Sequence, residues 1–479
     1  MSESKAITLG AARRRIGPRA GRLAIAALAA VVLLTGALNV RPMLGDEEQA
    51  WGADPAAPSA ADQLVGAPPR PASELDGQIL SLQDTLRADG ENGRAATLLG
   101  QAYLQKARET GDPSYYPKAE ALFDRVLTRD DEDFAAMVGL GTLALARHEF
   151  VEALDWGERA RAINPHHPPA HAVIGDALVE LGRYEEAVAT VQVLVDLRPN
   201  LVSYARVSYL RELHGDRPGA IAAMEQAAVA GAGSPENIAW TQTQLGNLRF
   251  DGGDLVAAER SYAQALAILP GYVYGLAGQA RVAAARGDLD RAADLYAEAI
   301  QTMPLPEFVI ALRDVYAAAG RADEAARQDA LVDAIQQLFA ANGVNTDLEL
   351  ALFDADHGHD LASAVDRARK QYAERPSVVA ADILAWTLYQ SGDATGAREA
   401  SRQALRLGTQ NALMLFHAGM IEARLGNTAL AMEYLQAALD LNPFFSVLYA
   451  DDARATLDSL RTGTGGNKTA ATRPQENVR

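Results

Sequence analysis

The sequence predicts an all-α protein built as one elongated solenoid of about ten helical hairpins. Three observations carry this. An alanine returns every 33 to 39 residues, at Ala119, Ala153, Ala187, Ala220, Ala258, Ala292, Ala325, Ala364, Ala397 and Ala431. A glycine stands five residues before most of these alanines (Gly182, Gly215, Gly253, Gly287, Gly320, Gly392, Gly426), and a proline twelve after six of them (Pro165, Pro199, Pro270, Pro304, Pro376, Pro443). Hydrophobic residues make up 49% of the chain, yet β-branched runs bounded by turns are scarce and aromatics are only 6%. A period of this size is the mark of stacked units, none of which buries its apolar face alone. The 479 residues would otherwise suggest two or three globular domains; the repeat turns them into one body.

Residues 1–22 are basic, with Lys5, Arg13, Arg14, Arg15, Arg19 and Arg22 against Glu3. Leu23 to Val40 then runs without a charge and is flanked by Arg22 and Arg41. At 1.5 Å per residue it reaches roughly 27 Å, close to the hydrocarbon thickness of a bilayer, so 23–40 reads as a transmembrane helix. Asp46, Glu47 and Glu48 beyond it place the N-terminus in the cytoplasm and the repeats outside. The competing reading is a cleaved signal peptide, which would leave a secreted carrier or binding protein. Residues 41–72, rich in Ala and Pro, read as a tether, and the stripe Leu75, Ile79, Leu82, Leu86 as a lone helix covering the first repeat.

The solenoid proper spans 73–445. In each unit the glycine ends helix A in a left-handed conformation, which a side chain would strain. Small residues twelve before each alanine (Gly141, Gly175, Ser208, Gly246, Ala280, Ala385, Gly419) let the two helices approach, and the proline stops helix B. Two joints exceed the period, near 231–237 and 340–347, and divide the array into blocks whose coupling should be weakest there; each hairpin is expected to touch only its neighbours. The count of units through 326–380 stays open. Residues 446–461 give a capping helix, and 462–479 a disordered tail.

This pattern resembles the tetratricopeptide repeat family, most closely in YEEAVATVQVLVDLRP, GDLVAAERSYAQALAILP, GDLDRAADLYAEAIQTMP and NTALAMEYLQAALDLNP. The resemblance covers about residues 90–445 and implies a right-handed superhelix whose A helices form the inner face, together with a role in binding other proteins. It departs from the pattern in the long turn Glu109 to Tyr116, at Ala364, which lacks the glycine, and at Ala325, which lacks the proline.

Net charge is −18, and the body is more acidic than the basic N-terminus makes the total appear, so nucleic acid is not expected as a partner. There is no cysteine, which removes disulfides, thiolate metal sites and a cysteine nucleophile. Arg far outnumbers Lys, a bias that with the abundant Ala points to a high-GC bacterial genome. No phosphate-binding loop, nucleophile elbow or dinucleotide fingerprint occurs, so neither an enzyme nor a cofactor is expected. Two histidine clusters, NPHHPPAH (His166, His167, His171) and DADHGHD (His357, His359 with Asp354, Asp356, Asp360), read as turns, the second being the less favoured alternative of a weak metal or enzymatic site.

Recognition remains. The inner row implied by the resemblance reads Gln101, Thr142, Asp176, Tyr209, Asn247, Arg281, Asp314, Trp386 and Met420, and is richest in the middle. With neighbouring positions it gives a candidate peptide-binding groove of Tyr209, Trp240, Asn247, Phe250, Tyr274 and Arg281, its rings partly exposed. The opposing reading packs Trp240 and Tyr274 into the hairpin joints. The family's clamp for C-terminal carboxylates needs lysines that Thr243 and Ala277 replace here. The expected protein is thus a non-catalytic scaffold, held by 23–40 in a bacterial envelope membrane, that binds extended segments of other proteins.

Overall fold

The computed structural model describes residues 73–463; the expected membrane segment 23–40, its flanks 1–22 and 41–72, and the tail from 464 lie outside the described residues. Among those described there are twenty-two α-helices, a short 3-10 turn at Pro113–Tyr115 and no strand. None of these helices is long and apolar enough to cross a membrane.

Helix α1 (Ser73–Ala88) stands alone, its Ile79 buried against Leu99 and Ala102 of the first hairpin. Ten hairpins follow. The first five are α2 (Gly93–Thr110) with α3 (Tyr116–Leu127), α4 (Phe134–Ala146) with α5 (Phe150–Ile163), α6 (Pro168–Glu180) with α7 (Tyr184–Leu197), α8 (Leu201–Leu213) with α9 (Arg217–Ala230), and α10 (Pro235–Asp251) with α11 (Leu255–Ile268). The next three are α12 (Val273–Ala285) with α13 (Leu289–Thr302), α14 (Pro306–Ala318) with α15 (Ala322–Ala341), and α16 (Asp347–His357) with α17 (Leu361–Glu374). The last two are α18 (Val378–Gln390) with α19 (Ala394–Ala404), and α20 (Ala412–Arg424) with α21 (Thr428–Leu441). Helix α22 (Ala450–Thr462) packs on the last hairpin as the expected cap, starting later than residue 446.

Local chemistry sets each hairpin. The turn glycine adopts φ between 70° and 96° in all seven units that carry it, and in four the next residue is an aspartate (Asp216, Asp254, Asp288, Asp393) whose carboxylate accepts a hydrogen bond from the first turn of helix B. In the divergent unit Gly358 takes the left-handed place one residue early, and Asp360 caps α17. Helices α5, α7, α11, α13, α17 and α21 all end two residues before their proline, as the restriction on the residue preceding proline requires. The repeating alanines are wholly buried, except Ala325 at 5% exposure. Gly246 shows why the facing position is small: a methyl group there would enter the Tyr262 ring. A helices are buried on most sides between two neighbours, whereas B helices bury a single stripe such as Tyr184, Ala187, Val191 and Leu194.

The array does not behave as the neighbour-only solenoid expected from the repeat. Successive superhelical turns touch along a seam, the A–B turn of one hairpin resting on the joint that lies five hairpins further on. Asn345 donates its N–H to Arg147 O at 3.0 Å, and His148 Nδ1 meets Asn345 O at 2.7 Å. Val378 N–H donates to Tyr184 Oη at 2.8 Å, Thr409 Oγ1 to Leu213 O at 2.6 Å, Arg217 to Gln410 O at 2.7 Å, and Asn442 Nδ2 to Phe250 O at 2.9 Å. At the array's start Arg108 pairs with Glu236 at 2.8 Å, and Tyr116, Phe123 and Leu143 share one apolar cluster with Val332, Ile335 and Phe339.

The seam also reassigns one expected joint. The stretch 340–347 is not a loose connection: α15 runs 20 residues, Val344 is buried, and Asn345 is held between Arg147 and His148. The joint at 231–234 makes only local backbone bonds.

Candidate functional site

The expected groove residues all lie on A helices, but not as one exposed patch. Trp240, 6% exposed, packs with Ala205, Met224 and Leu245, and Phe250, 3% exposed, with Tyr262 and Val282. The expectation that both rings are partly exposed is therefore corrected. They sit on the sides of α10 that face neighbouring helices, where an aromatic ring fills the space left by alanine and glycine. Tyr209, Asn247, Tyr274 and Arg281 are half-buried.

Three of the six form a connected group. Tyr262 Oη donates to Asn247 Oδ1 at 2.8 Å, and Arg281 Nη1 reaches the same oxygen at 3.5 Å. Arg281 Nη2 pairs with Asp251 at 3.0 Å, and its guanidinium lies 4.1 Å from the Phe250 ring centre. Burial alone would lower Arg281; the Asp251 carboxylate outweighs it and holds the group above its ordinary value. Tyr274 lies apart, against Tyr272 at 5.4 Å and Phe308 at 5.7 Å. Tyr209 lines a pocket of about 10 Å³ with Asp176, Glu180 and Arg206, room for one water molecule.

Polar pairs between neighbouring A helices recur along this row. Asp176 of α6 is gripped by Arg206 of α8 at 2.7 and 2.5 Å, with both side chains buried; burial raises the carboxyl and Arg206 opposes it. Asp314 of α14 meets His357 of α16 at 2.8 Å. Asp382 of α18 meets His417 of α20 at 3.0 Å, and Trp386 stacks on that imidazole at 4.2 Å while donating its N–H to Asp356 at 2.8 Å. Sequence reasoning placed Asp176, Asp314 and Trp386 in the row. It missed Arg206, His417, Glu180 and Glu212, although Glu180 and Glu212 lie one turn beyond Asp176 and Tyr209, a spacing that keeps them on the same helix face.

The histidine clusters disperse. His171 Nε2 meets Pro165 O at 2.8 Å, and His167 packs on Phe134 with ring centres 4.4 Å apart. His357 is held by Asp314, and Asp354 by Arg367. Among the described residues no three His, Cys, Asp or Glu side chains converge as metal ligands would.

Fold and inner face together define a helical-hairpin repeat protein with a polar, aromatic-bearing interior row. Tetratricopeptide repeat profiles match residues 114–168, 144–212, 243–305 and 384–444, which identifies these stretches as tetratricopeptide repeats. Solved structures similar to it include a thermophilic tetratricopeptide repeat protein of Thermus thermophilus, 24% identical, covering 40% of this chain and 97% of that one, with a TM-score of 0.35. The Cut9–Hcn1 hetero-tetramer of the APC/C is 16% identical, covering 80% of this chain and 81% of that one, with a TM-score of 0.38. PilF of Pseudomonas aeruginosa is 19% identical, covering 44% and 92%, with a TM-score of 0.34. No curated protein matches the sequence.

Proposed function

We propose that this protein is a non-catalytic scaffold that binds extended segments of other proteins along the inner face of its superhelix, and that residues 23–40 tether it to a membrane with the repeats outside the cytoplasm. The repeats suggest the scaffold role. The observation that carries the binding face is the row of half-buried polar and aromatic A-helix side chains, Tyr209, Asn247, Tyr274 and Arg281. Such residues bury apolar contacts and fix a peptide backbone with little conformational cost. Trp240 and Phe250 act beneath this surface as support.

A photo-crosslinking residue at position 274, compared with one at the outward Val229, tests the binding face in cells. Covalent adducts to another protein are expected from position 274 and not from 229; adducts from 229 alone would sink the reading. The tether is tested separately. A reporter fused after Arg479 should be active only outside the cytoplasm, and replacing Arg13, Arg14, Arg15, Arg19 and Arg22 with neutral residues should scramble that orientation.

A further inference from the structure

Carboxyl groups gather around Tyr209. Asp176 in that pocket is neutralised by Arg206. Glu180 is not matched so well. Its cation is Arg375, 3.8 Å away, and the same guanidinium faces Glu349 at 3.9 Å, so one positive charge stands between two carboxylates. Glu349 Oε2 is buried without a hydrogen-bond partner. On α8, one turn beyond Tyr209, Glu212 has no ion pair among the described residues; it feels Asp251, which is already engaged by Arg281, and Arg217 opposes it from beyond ion-pair distance. Two incompletely matched carboxylates, Glu180 sharing Arg375 and Glu212 opposed only by the unpaired approach of Arg217, therefore flank an aromatic ring beside a small pocket.

We propose that Tyr209, Glu180 and Glu212 hold a basic side chain, arginine or lysine, of a polypeptide lying along the inner face. This rests on the binding face proposed above and specifies its partner. The tyrosine face attracts a cation within about 6 Å of its centre, and carboxylates supply charge-assisted hydrogen bonds to its N–H groups. Burial pushes both glutamates up, Glu212 to about 7, so their charged forms are disfavoured in the free protein and a bound cation restores them. The arrangement is the charge inverse of a clamp for a terminal carboxylate, and a basic segment also suits the acidic body.

Panning a display library of random dodecapeptides on the full chain tests this. Wild-type protein and Tyr209→Phe should both select peptides with arginine or lysine fixed at one position. Glu212→Gln and Glu180→Gln should lose that selection while retaining helical content. A selected peptide should bind about tenfold more tightly than its citrulline-substituted copy, a difference of about 1.4 kcal/mol. Peptides selected without a basic position, or a basic position retained on both glutamine variants, would overturn the proposal and leave the binding face standing. Failure to select any peptide would overturn both.

Discussion

Glu212 illustrates how a single side chain on the inner wall couples charge to folding. Burial first, and Asp251 second, raise its carboxyl from 4.5 to about 7, with Arg217 opposing. A group whose pKa is higher folded than unfolded binds more protons in the folded state, so its contribution is fully present below about pH 4.5 and is lost as pH rises through 7. Glu212→Gln removes this titration, and the variant should lose less stability than wild type between pH 5 and pH 8 when unfolded in urea; an identical pH slope would mean the carboxyl is hydrated. The buried Asp176–Arg206 pair behaves differently. Arg206→Met strands a buried carboxylate and should cost about 3–5 kcal/mol, whereas Asp176→Leu with Arg206→Met together should cost much less, both read from urea midpoints. Asp176 was legible in the sequence from its place in the repeat. Arg206 was not, because an arginine on an A helix gives no sign of whether it faces solvent or a partner 30 residues upstream.

At the scale of one helix or hairpin, almost everything was legible, since the signals are local and each has one physical cause. A left-handed glycine followed by a capping aspartate starts helix B, and the helix ends two residues before a proline. The alanine and the small residue facing it set how near the two helices come. Gly246→Ala tests that spacing. Its methyl group would enter the ring of Tyr262, which is wholly buried and whose hydroxyl is held by Asn247. Overpacking of this kind should cost about 1–3 kcal/mol, while Val229→Ala, on an outward position 79% exposed, should change little. Equal midpoints for the two variants would show that the hairpins have slack the packing does not suggest. The groove residues divided along the same line. Asn247 and Arg281 are half-buried, but the rings of Trp240 and Phe250 turned inward, because in a repeat packed through alanine a large ring is what fills the remaining space.

The seam is a property of the whole molecule, and nothing local announced it. Its hydrogen bonds join residues 192 to 198 apart, and most end on backbone carbonyls, acceptors that every sequence offers. It makes the turn glycines, identical in the repeat, unlike in the fold. A methyl group on Gly182 or Gly215 would run into a carbonyl across the seam, from Pro376 or Gly408, whereas one on Gly287 or Gly426 would meet nothing. All four are left-handed, so Gly182→Ala and Gly426→Ala should share a backbone cost of roughly 1–2 kcal/mol. Only Gly182→Ala should also prise the turns apart. Hydrogen exchange separates the two effects, because the Val378 amide is protected by Tyr184 Oη and the Asn345 amide by Arg147 O, both across the seam. In wild type these amides should exchange more slowly than those at 231–234. Gly182→Ala should speed Val378 first and Asn345 with it, and the single unfolding transition that the seam imposes should split into two. Gly426→Ala should lower stability with both amides still protected. Equal acceleration in the two variants would mean that the turns do not touch in solution and that the array unfolds hairpin by hairpin after all.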